Sequence, residues 1–531
     1  MHPLYEDHLM QQACIISNLS LAFPTQTMFT QLNFVLFPGQ TSAVIGRNGL
    51  GKSLLFKLLH LQQHSDLAYS GQIAWHIQHD YLAQLQRLNA KTIAEALDIT
   101  HLHNAFERIE NSSASFEDYD LVENCWDLPQ KWQQILSNAQ LPLDLNFPVK
   151  SLSEGQKTKL ALCRLFLKQD HYLLLDEPSN HLDAMARKWL IESIQSHKAG
   201  VCIISHDLQL LNQVQHIYAL TANGLQHVKG NYADYFKQHQ QQVHALTQSI
   251  QQEKREFKQL KQQQNESLMK AQKRQRKGAQ LRDSNSQAKI LLDFKKEQAG
   301  QSFGKLRAQQ IRQADETQSN LQEKQTALEK IKPQRFDFQF QSFKQGEILR
   351  IHDLQLPYAT TQKINLSLQA GEKIQLKGAN GVGKSTLLKI IDQSQCTEIF
   401  FIGQSLYLDQ NFSLLNDDLS VIENLAEFNP DLPEVEWRNL LGQLRIRREK
   451  ALLKLGQLSG GEKLKVALLG ISHNHQNIDL LLLDEPENHL DIESRELLAQ
   501  AIQQFKGAVI LVSHDDCFVV QSGIDEKYLL S

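Results

Sequence analysis

The sequence predicts an α/β protein: two copies of one mixed domain, joined by an antiparallel α-helical hairpin linker. Two observations predict the doubled part. The octapeptide GRNGLGKS begins at Gly46 and GANGVGKS begins at Gly378, 332 positions later. Behind each of them the same short words follow in the same order. A third observation predicts the hairpin, because Phe236, Val243, Ile250 and Phe257 recur every seven residues between the copies, with Leu246 and Leu260 at intervening seam positions. That is a heptad helix with one apolar seam.

Length agrees with this division. A chain of 531 residues exceeds what one hydrophobic core organises, at about 150 residues per domain. The motifs set the boundaries at 1–230 for the first α/β domain, 231–332 for the hairpin and 333–531 for the second domain.

Each octapeptide fits G-x-x-x-x-G-K-[ST], a loop whose glycines let successive backbone N–H groups curl around phosphate oxygens at a helix N-terminus. The apolar runs SAVI and IQLK before the loops read as the buried strands that carry them. Phosphate-binding positions are therefore Gly46, Asn48, Gly49 and Gly51 in the first copy and Gly378, Asn380, Gly381 and Gly383 in the second. Lys52 and Lys384 would reach the terminal phosphates, and Ser53 and Ser385 would ligate Mg²⁺. Leu54 stands where the second copy has Thr386.

The later words repeat as well. The first copy continues with Gln78 in IAWHIQ, LSEGQ from Leu152, YLLLDEPSNHLD from Tyr172 and SHD from Ser205. The second has Gln410 in LYLDQ, LSGGE from Leu458, LLLLDEPENHLD from Leu480 and SHD from Ser513. Lysine to glutamine is 26 residues in both copies, and Asp176 to His206 equals Asp484 to His514 at 30. In LLLDEP the apolar run is a buried strand; Asp176 or Asp484 at its end can hold the metal through water. Glu177 and Glu485 then stand where a general base orients the attacking water. His206 and His514, each after an apolar run, could hydrogen-bond the γ-phosphate. These are the parts of a nucleotide hydrolase, present twice.

One interval differs. Gln78 to Ser153 spans 75 residues and Gln410 to Ser459 spans 49, which places 26 additional residues in the first copy, within about 85–130, where FERIENSSASFEDYDLVENCWD reads as helix, polar turn, helix. After the first copy, the hairpin helix should run from Phe236 to Lys277, with Gly278 and the RDSNSQ stretch interrupting it. Ile311, Ala314, Leu321, Leu328 and Ile331 restore a helical stripe before Pro333.

The net charge of −4 conceals an asymmetry: residues 231–332 hold 20 Lys and Arg against 11 Asp and Glu, a balance of +9, leaving −13 elsewhere. Residues 270–307 alone balance at +8, including Lys273, Arg274, Arg276, Lys277, Arg282, Lys289, Lys295 and Lys296, with Phe294 and Phe303 interleaved. Such a tip suits a polyanion such as RNA, held by counterion release and aromatic stacking; a solvated helical surface is the plainer alternative. No apolar run approaches the roughly 18 residues of a membrane helix, and the N-terminus carries no targeting pattern, so a cytoplasmic protein is expected. The six cysteines are scattered singly with no C-x-x-C, which indicates reduced, packed thiols.

These motifs resemble the ATP-binding cassette ATPases, with LSEGQ and LSGGE in place of the signature loop. The resemblance implies two cassettes facing head to tail with ATP and Mg²⁺ between them. One site would use Lys52, Ser53, Gln78, Asp176, Glu177 and His206 with Ser459 and Gly461. The other would use Lys384, Ser385, Gln410, Asp484, Glu485 and His514 with Ser153 and Gly155. It also suggests adenine stacking on Phe23 and Tyr358. Two cassettes without a membrane span, and GNYADYF from Gly230 leading into a basic hairpin, are similar to the ABC-F subfamily. That likeness implies a monomer that pairs its own cassettes and an ATPase that binds the ribosome, with rRNA and P-site tRNA as partners. Its linker would reach from the E site toward the peptidyl-transferase centre, and the insertion corresponds to the family's arm. Ribosomal-protection antibiotic resistance would use the same parts. The energy-coupling subunit of a membrane transporter and a DNA-clamp ATPase fit less well, because no spanning helix exists and clamp coiled coils are generally far longer.

Overall fold

The computed structural model describes residues 12–24, 26–61, 67–83, 89–180, 182–221, 224–283, 308–309, 311–328, 336–338, 340, 344–356, 363–379, 381–393, 396–446, 448–488 and 490–530. Asn380, Tyr358, Ile331, Lys289, Lys295 and Lys296 lie outside them. The chain forms two compact units, residues 1–233 with 334–531, and residues 234–333.

In the larger unit the first cassette begins with strands β1 (Cys14–Phe23), β2 (Gln26–Leu36) and β3 (Thr41–Ile45), followed by helix α1 (Lys52–Leu61), β4 (Tyr69–Trp75) and β5 (His79–Leu82). Four helices follow: α2 (Ile93–Ala96), α3 (Thr100–Glu110), α4 (Phe116–Val122) and α5 (Leu128–Asn138). Then come α6 (Glu154–Phe166), β6 (Tyr172–Asp176), α7 (Ala184–Ser196), β7 (Val201–Ile204), α8 (Leu208–Leu211), β8 (His216–Thr221) and β9 (Gly224–Lys229). The smaller unit holds most of α9 (Tyr232–Asp283) and α10 (residues 311–328). The second cassette contains β10 (Glu347–Leu354), β11 (Ile364–Gln369), β12 (Lys373–Lys377), α11 (Lys384–Gln393), β13 (Ile399–Phe401) and β14 (Ser405–Asp409). It ends with α12 (Val421–Phe428), α13 (Glu434–Gln443), α14 (Gly460–Ser472), β15 (Leu480–Asp484), α15 (Ile492–Gln504), β16 (Ala508–Val512), α16 (Asp516–Gln521) and β17 (Glu526–Leu529).

The internal repeat is a repeat of topology. The first cassette orders its main sheet β5-β6-β7-β3-β8-β9, and the second orders its own β14-β15-β16-β12-β17. All neighbours are parallel except the antiparallel pair β8 and β9. A parallel strand is covered on both faces, which is why YLLLD, VCII and AVILV are buried at every position. Each cassette adds a three-stranded antiparallel sheet, β2-β1-β4 and β11-β10-β13. Leu55, Phe56, Leu58 and Leu59 give α1 one apolar face, and that face joins the core shared by β1, β2 and the main sheet.

Strand register corrects one expectation. His79 pairs Tyr172 in the first sheet and Ser405 pairs Leu480 in the second, and Tyr172 and Leu480 each stand four residues before the aspartate of their strand. Tyr81 therefore matches Tyr407, and the counterpart of Gln410 is Gln84, not Gln78. Gln84 lies outside the described residues, whereas Gln78 precedes β5 at the end of the sheet away from Asp176. Equal spacing from the lysine misled, because the first copy carries six extra residues before β5. The insertion shrinks accordingly: Gln84 to Ser153 is 69 residues against 49 from Gln410 to Ser459, an excess of 20 rather than 26.

Two isolated bridges frame that insertion, Thr92 with Pro148 and Ser420 with Lys454, spanning 56 and 34 residues. Between the matching helices α2 and α5 the first cassette inserts α3 and α4. Ser115 caps α4 in a reciprocal capping box with Asp118, and Asp118 pairs with Arg108 of α3, fastening the two helices.

Helix α9 continues through Gly278 to Asp283, so that glycine does not interrupt it as expected. One glycine costs about 1 kcal/mol relative to alanine, too little to end a helix rich in Gln, Lys and Arg. Along α9 the half-buried positions follow the heptad seam, and Ile250 is buried. Lys324 of α10 donates to Ser249 at 2.9 Å and pairs with Glu253, tying the two helices together. The cysteines are all free; Cys14, Cys163 and Cys202 are buried, whereas Cys517 is exposed rather than packed. Among the described residues no helix is long and apolar enough to cross a membrane.

Candidate functional site

Both candidate sites lie where parallel strands end. Ile45, Asp176 and Ile204 close three neighbouring strands at one edge of the first sheet, as Lys377, Asp484 and Val512 do in the second. Loops leaving that edge carry the repeated motifs.

The loop between β3 and α1 has Gly49 and Gly51 at φ +81° and +87°; Gly381 and Gly383 adopt +81° and +100°. Only glycine enters this region without strain, so the loop can turn its amides inward ahead of a helix N-terminus. Lys52 is buried, and its Nζ donates to the carbonyls of Gly46 at 2.7 Å and Arg47 at 3.2 Å. Lys384 donates likewise to Gly378 at 2.9 Å and Ala379 at 3.0 Å. Burial lowers both lysines from their ordinary range.

Beyond β6 and β15 the backbone makes a bend that no sequence signal announced. Glu177 has φ +51° and Glu485 has φ +49°, left-handed geometry that costs a non-glycine residue about 1–2 kcal/mol. Each is held by its amide, which donates to Ile204 O at 2.8 Å or Val512 O at 3.0 Å. Strain repeated at the same motif position in both copies marks a functional turn. His206 Nε2 lies 3.5 Å from Glu177 Oε1 and 3.2 Å from Asn48 Oδ1. His514 Nε2 lies 3.3 Å from Glu485 Oε1.

Two tyrosines that the sequence reading missed hold the aspartates. Tyr407 donates to Asp484 Oδ2 at 2.8 Å and Tyr81 to Asp176 Oδ2 at 3.5 Å. Their place three residues before the glutamine in YLAQ and YLDQ was the available signal. Asp176 fits a cation ligand: Ser53 lies against it, and its buried Oδ1 has no hydrogen-bond partner. Gln410 accepts from Asn488 at 3.5 Å, beside Glu485. Phe23 ends β1 and is half-exposed.

The signature serines are helix caps as well as site residues. Ser153 caps α6 in a box with Gln156, and Ser459 donates from its amide and hydroxyl to Glu462 at 3.1 and 2.9 Å. Ser153, Gly155 and Asp183 of the first cassette face Gly381, Gly383, Lys384, Ser385, Thr386, Glu485 and His514 of the second across one cavity of about 790 Å³. The opposite pairing is closed. Asp491 of the second cassette accepts from the Asn48 amide at 2.9 Å, and Arg47 pairs with Glu493 at 2.5 Å, with Arg445 joining at 3.3 Å. Gly461 packs within the second cassette against the start of α15, where an added Cβ would collide with Ser494 Oγ beside Asp491.

Sequence differences underlie the contrast. Ala379 occupies the position of Arg47, and Met185 that of Glu493, so the open side cannot form the ion pair. Electrostatics differ too. Burial pushes the Glu177 carboxyl up to about 8 and His206 down to about 3, whereas hydrogen bonding from His514 holds Glu485 below the usual carboxylate range.

Residues 29–180 and 361–488 match the family model described as ABC transporter. The Bacillus subtilis protein YdiF is 31% identical over 95% of this chain and 78% of its own length. ATP-binding cassette sub-family F member 3 of Mus musculus is 28% identical over 95% of this chain and 69% of its own, and Escherichia coli YheS is 27% identical over 97% and 78%. Among solved structures, RNase-L Inhibitor superposes with a TM-score of 0.51 at 17% identity, covering 97% of this chain and 87% of that one. With both cassettes matched and relatives aligned along its length, the chain belongs to the ATP-binding cassette family, as an ATPase of the sub-family F type.

Proposed function

We propose that the protein is an ATP-driven factor of the ribosome. ATP draws the cassettes together, the closed form sits in the E site with its hairpin directed toward P-site tRNA and the peptidyl-transferase centre, and hydrolysis releases it. The observation that carries this reading is the composite cavity, where the signature residues of one cassette face the phosphate loop, glutamate and histidine of the other. Such a site is complete only when two cassettes meet, so nucleotide and closure are linked. The basic helix α9, with Lys273 and Arg276 exposed, belongs to a unit separate from the phosphate-handling residues and suits RNA.

Within each site the loop amides and Lys52 or Lys384 hold the phosphates. Ser53 with Asp176, and Ser385 with Asp484, would hold Mg²⁺, which when bound neutralises charge developing on the transferred phosphoryl oxygens. Glu177 and Glu485 orient and deprotonate the attacking water, and His206 and His514 donate toward the γ-phosphate. Gln410 stands beside its glutamate through Asn488.

Pelleting the protein with ribosomes through a sucrose cushion tests the reading. Recovery should require ATP; equal recovery with ADP would remove the clamp, and none with any nucleotide would remove the ribosome. Changing Lys52 and Lys384 together to Ala should weaken ATP binding by about 10- to 100-fold, the worth of a charged hydrogen-bonding group on the phosphates. Equilibrium binding of a fluorescent ATP analogue measures this, and unaltered affinity would remove the lysines from the site.

A further inference from the structure

Each cassette sends one arginine across to the histidine loop of the other, and we infer that Arg187 and Arg495 are positioning residues that couple each ATP site to the opposite cassette. The inference rests on the assignment of Glu177 with His206, and of Glu485 with His514, to hydrolysis. Arg495 stands four residues after Asp491, the cap of α15, as Arg187 stands four residues after Asp183, the cap of α7. The words LDIESR and LDAMAR repeat, with the arginine at the same position in both.

Arg495 is buried. Its Nη1 donates to the main-chain oxygen of His206 in the other cassette at 2.7 Å, while Nη2 pairs with Asp515 of its own. Asp515 in turn caps α16 by accepting from the Phe518 amide at 3.0 Å, and the guanidinium lies 5.9 Å from the centre of the Phe518 ring. The planar fork of arginine is thereby fixed at both ends, and the His206 ring is held within 3.5 Å of Glu177. Were the cassettes to part, Nη1 would lose its acceptor, and the loss of this charge-assisted hydrogen bond opposes separation.

The mirror contact is looser. Arg187 Nη1 is 3.5 Å from His514 O and its Nε 3.8 Å from Asp207 Oδ2, and Arg187 lines the open cavity. The tight brace belongs to the closed side and the loose one to the open side. Closure at one interface thus sets the histidine of the site formed there, through an arginine of the opposite cassette that holds the histidine loop by its main chain.

Trapping with 8-azido-ATP and vanadate on the full chain, followed by proteolysis within the basic linker, reports turnover at each phosphate loop separately. Arg495→Met should lower label on the first cassette about 10- to 100-fold relative to the second, the loss expected for one charged hydrogen bond. Arg187→Met should shift the ratio the other way. The cassette bearing each substitution serves as the folding control, because its own loop should still trap. Arg495→Lys, which keeps the charge for Asp515 but not the two-ended fork, should fall between. An unchanged ratio, or greater loss on the substituted cassette, would overturn the coupling. Glu177→Gln tests the underlying assignment independently: it should abolish label on the first cassette, and undiminished label there would remove that assignment instead.

Discussion

Replacing Glu177 and Glu485 together by Gln should leave a protein that binds ATP, closes and stays on ribosomes. Gln keeps the shape of the side chain and accepts the left-handed backbone at φ +51° and +49° no worse than Glu. The amides that hold the bend, through Ile204 O and Val512 O, are untouched. What disappears is the group that takes a proton from water, and losing a general base costs about 10² to 10⁴ in rate. ATP-dependent closure then outlasts a round of protein synthesis. The double variant should co-sediment with ribosomes more strongly than the wild type and inhibit growth when expressed, while phosphate release falls to background. Hydrolysis at the normal rate would show that the glutamates are not the bases. An inactive variant that binds ATP yet never pellets with ribosomes would preserve the ATPase and refute the ribosome.

The phosphate loops, the aspartate-glutamate pairs and the histidines were legible because a fixed local geometry demands those residue types in a continuous word. Gln78 was misread for the converse reason. The word around the true glutamine is only YL-x-Q, in YLAQ and YLDQ, and equal spacing from Lys52 and Lys384 overrode it and concealed six residues gained before β5. The pairing of His79 with Tyr172 and of Ser405 with Leu480 sets the register. Gly278 failed as a helix stop because a single residue's propensity is small beside a long run of helix formers. The asymmetry of the sites was visible only in part: the Ala379 for Arg47 exchange can be read from the loops, but its partner exchange, Met185 for Glu493, acquires meaning only once the cassettes are seen to face each other. The strained glutamates and the crossing arginines were invisible for the same reason, since backbone angles and contacts 289 residues apart leave no mark on composition.

Removing residues 270–307 and closing the gap with a short Gly-Ser turn should abolish ATP-dependent ribosome binding while leaving basal ATPase within about twofold. The base of the hairpin should survive the deletion. Ile250 and the link from Lys324 to Ser249 and Glu253 lie outside the removed segment, so α9 and α10 retain their contact. The phosphate loops, the glutamates and both arginines belong to the other compact unit. What is lost is a balance of +8 charges, and a polyanion surface is held chiefly by such charges. A finer form of the experiment changes only the exposed Lys273 and Arg276 to Gln. Each phosphate contact contributes about 0.7 to 0.9 to the slope of log affinity against log salt, so the slope should fall by about 1.4 to 1.8 with ATPase intact. A weaker affinity with an unchanged slope would mean that the two residues shape the helix without meeting phosphate, and retention of full binding by the deleted protein would move the ribosome contact off the tip altogether.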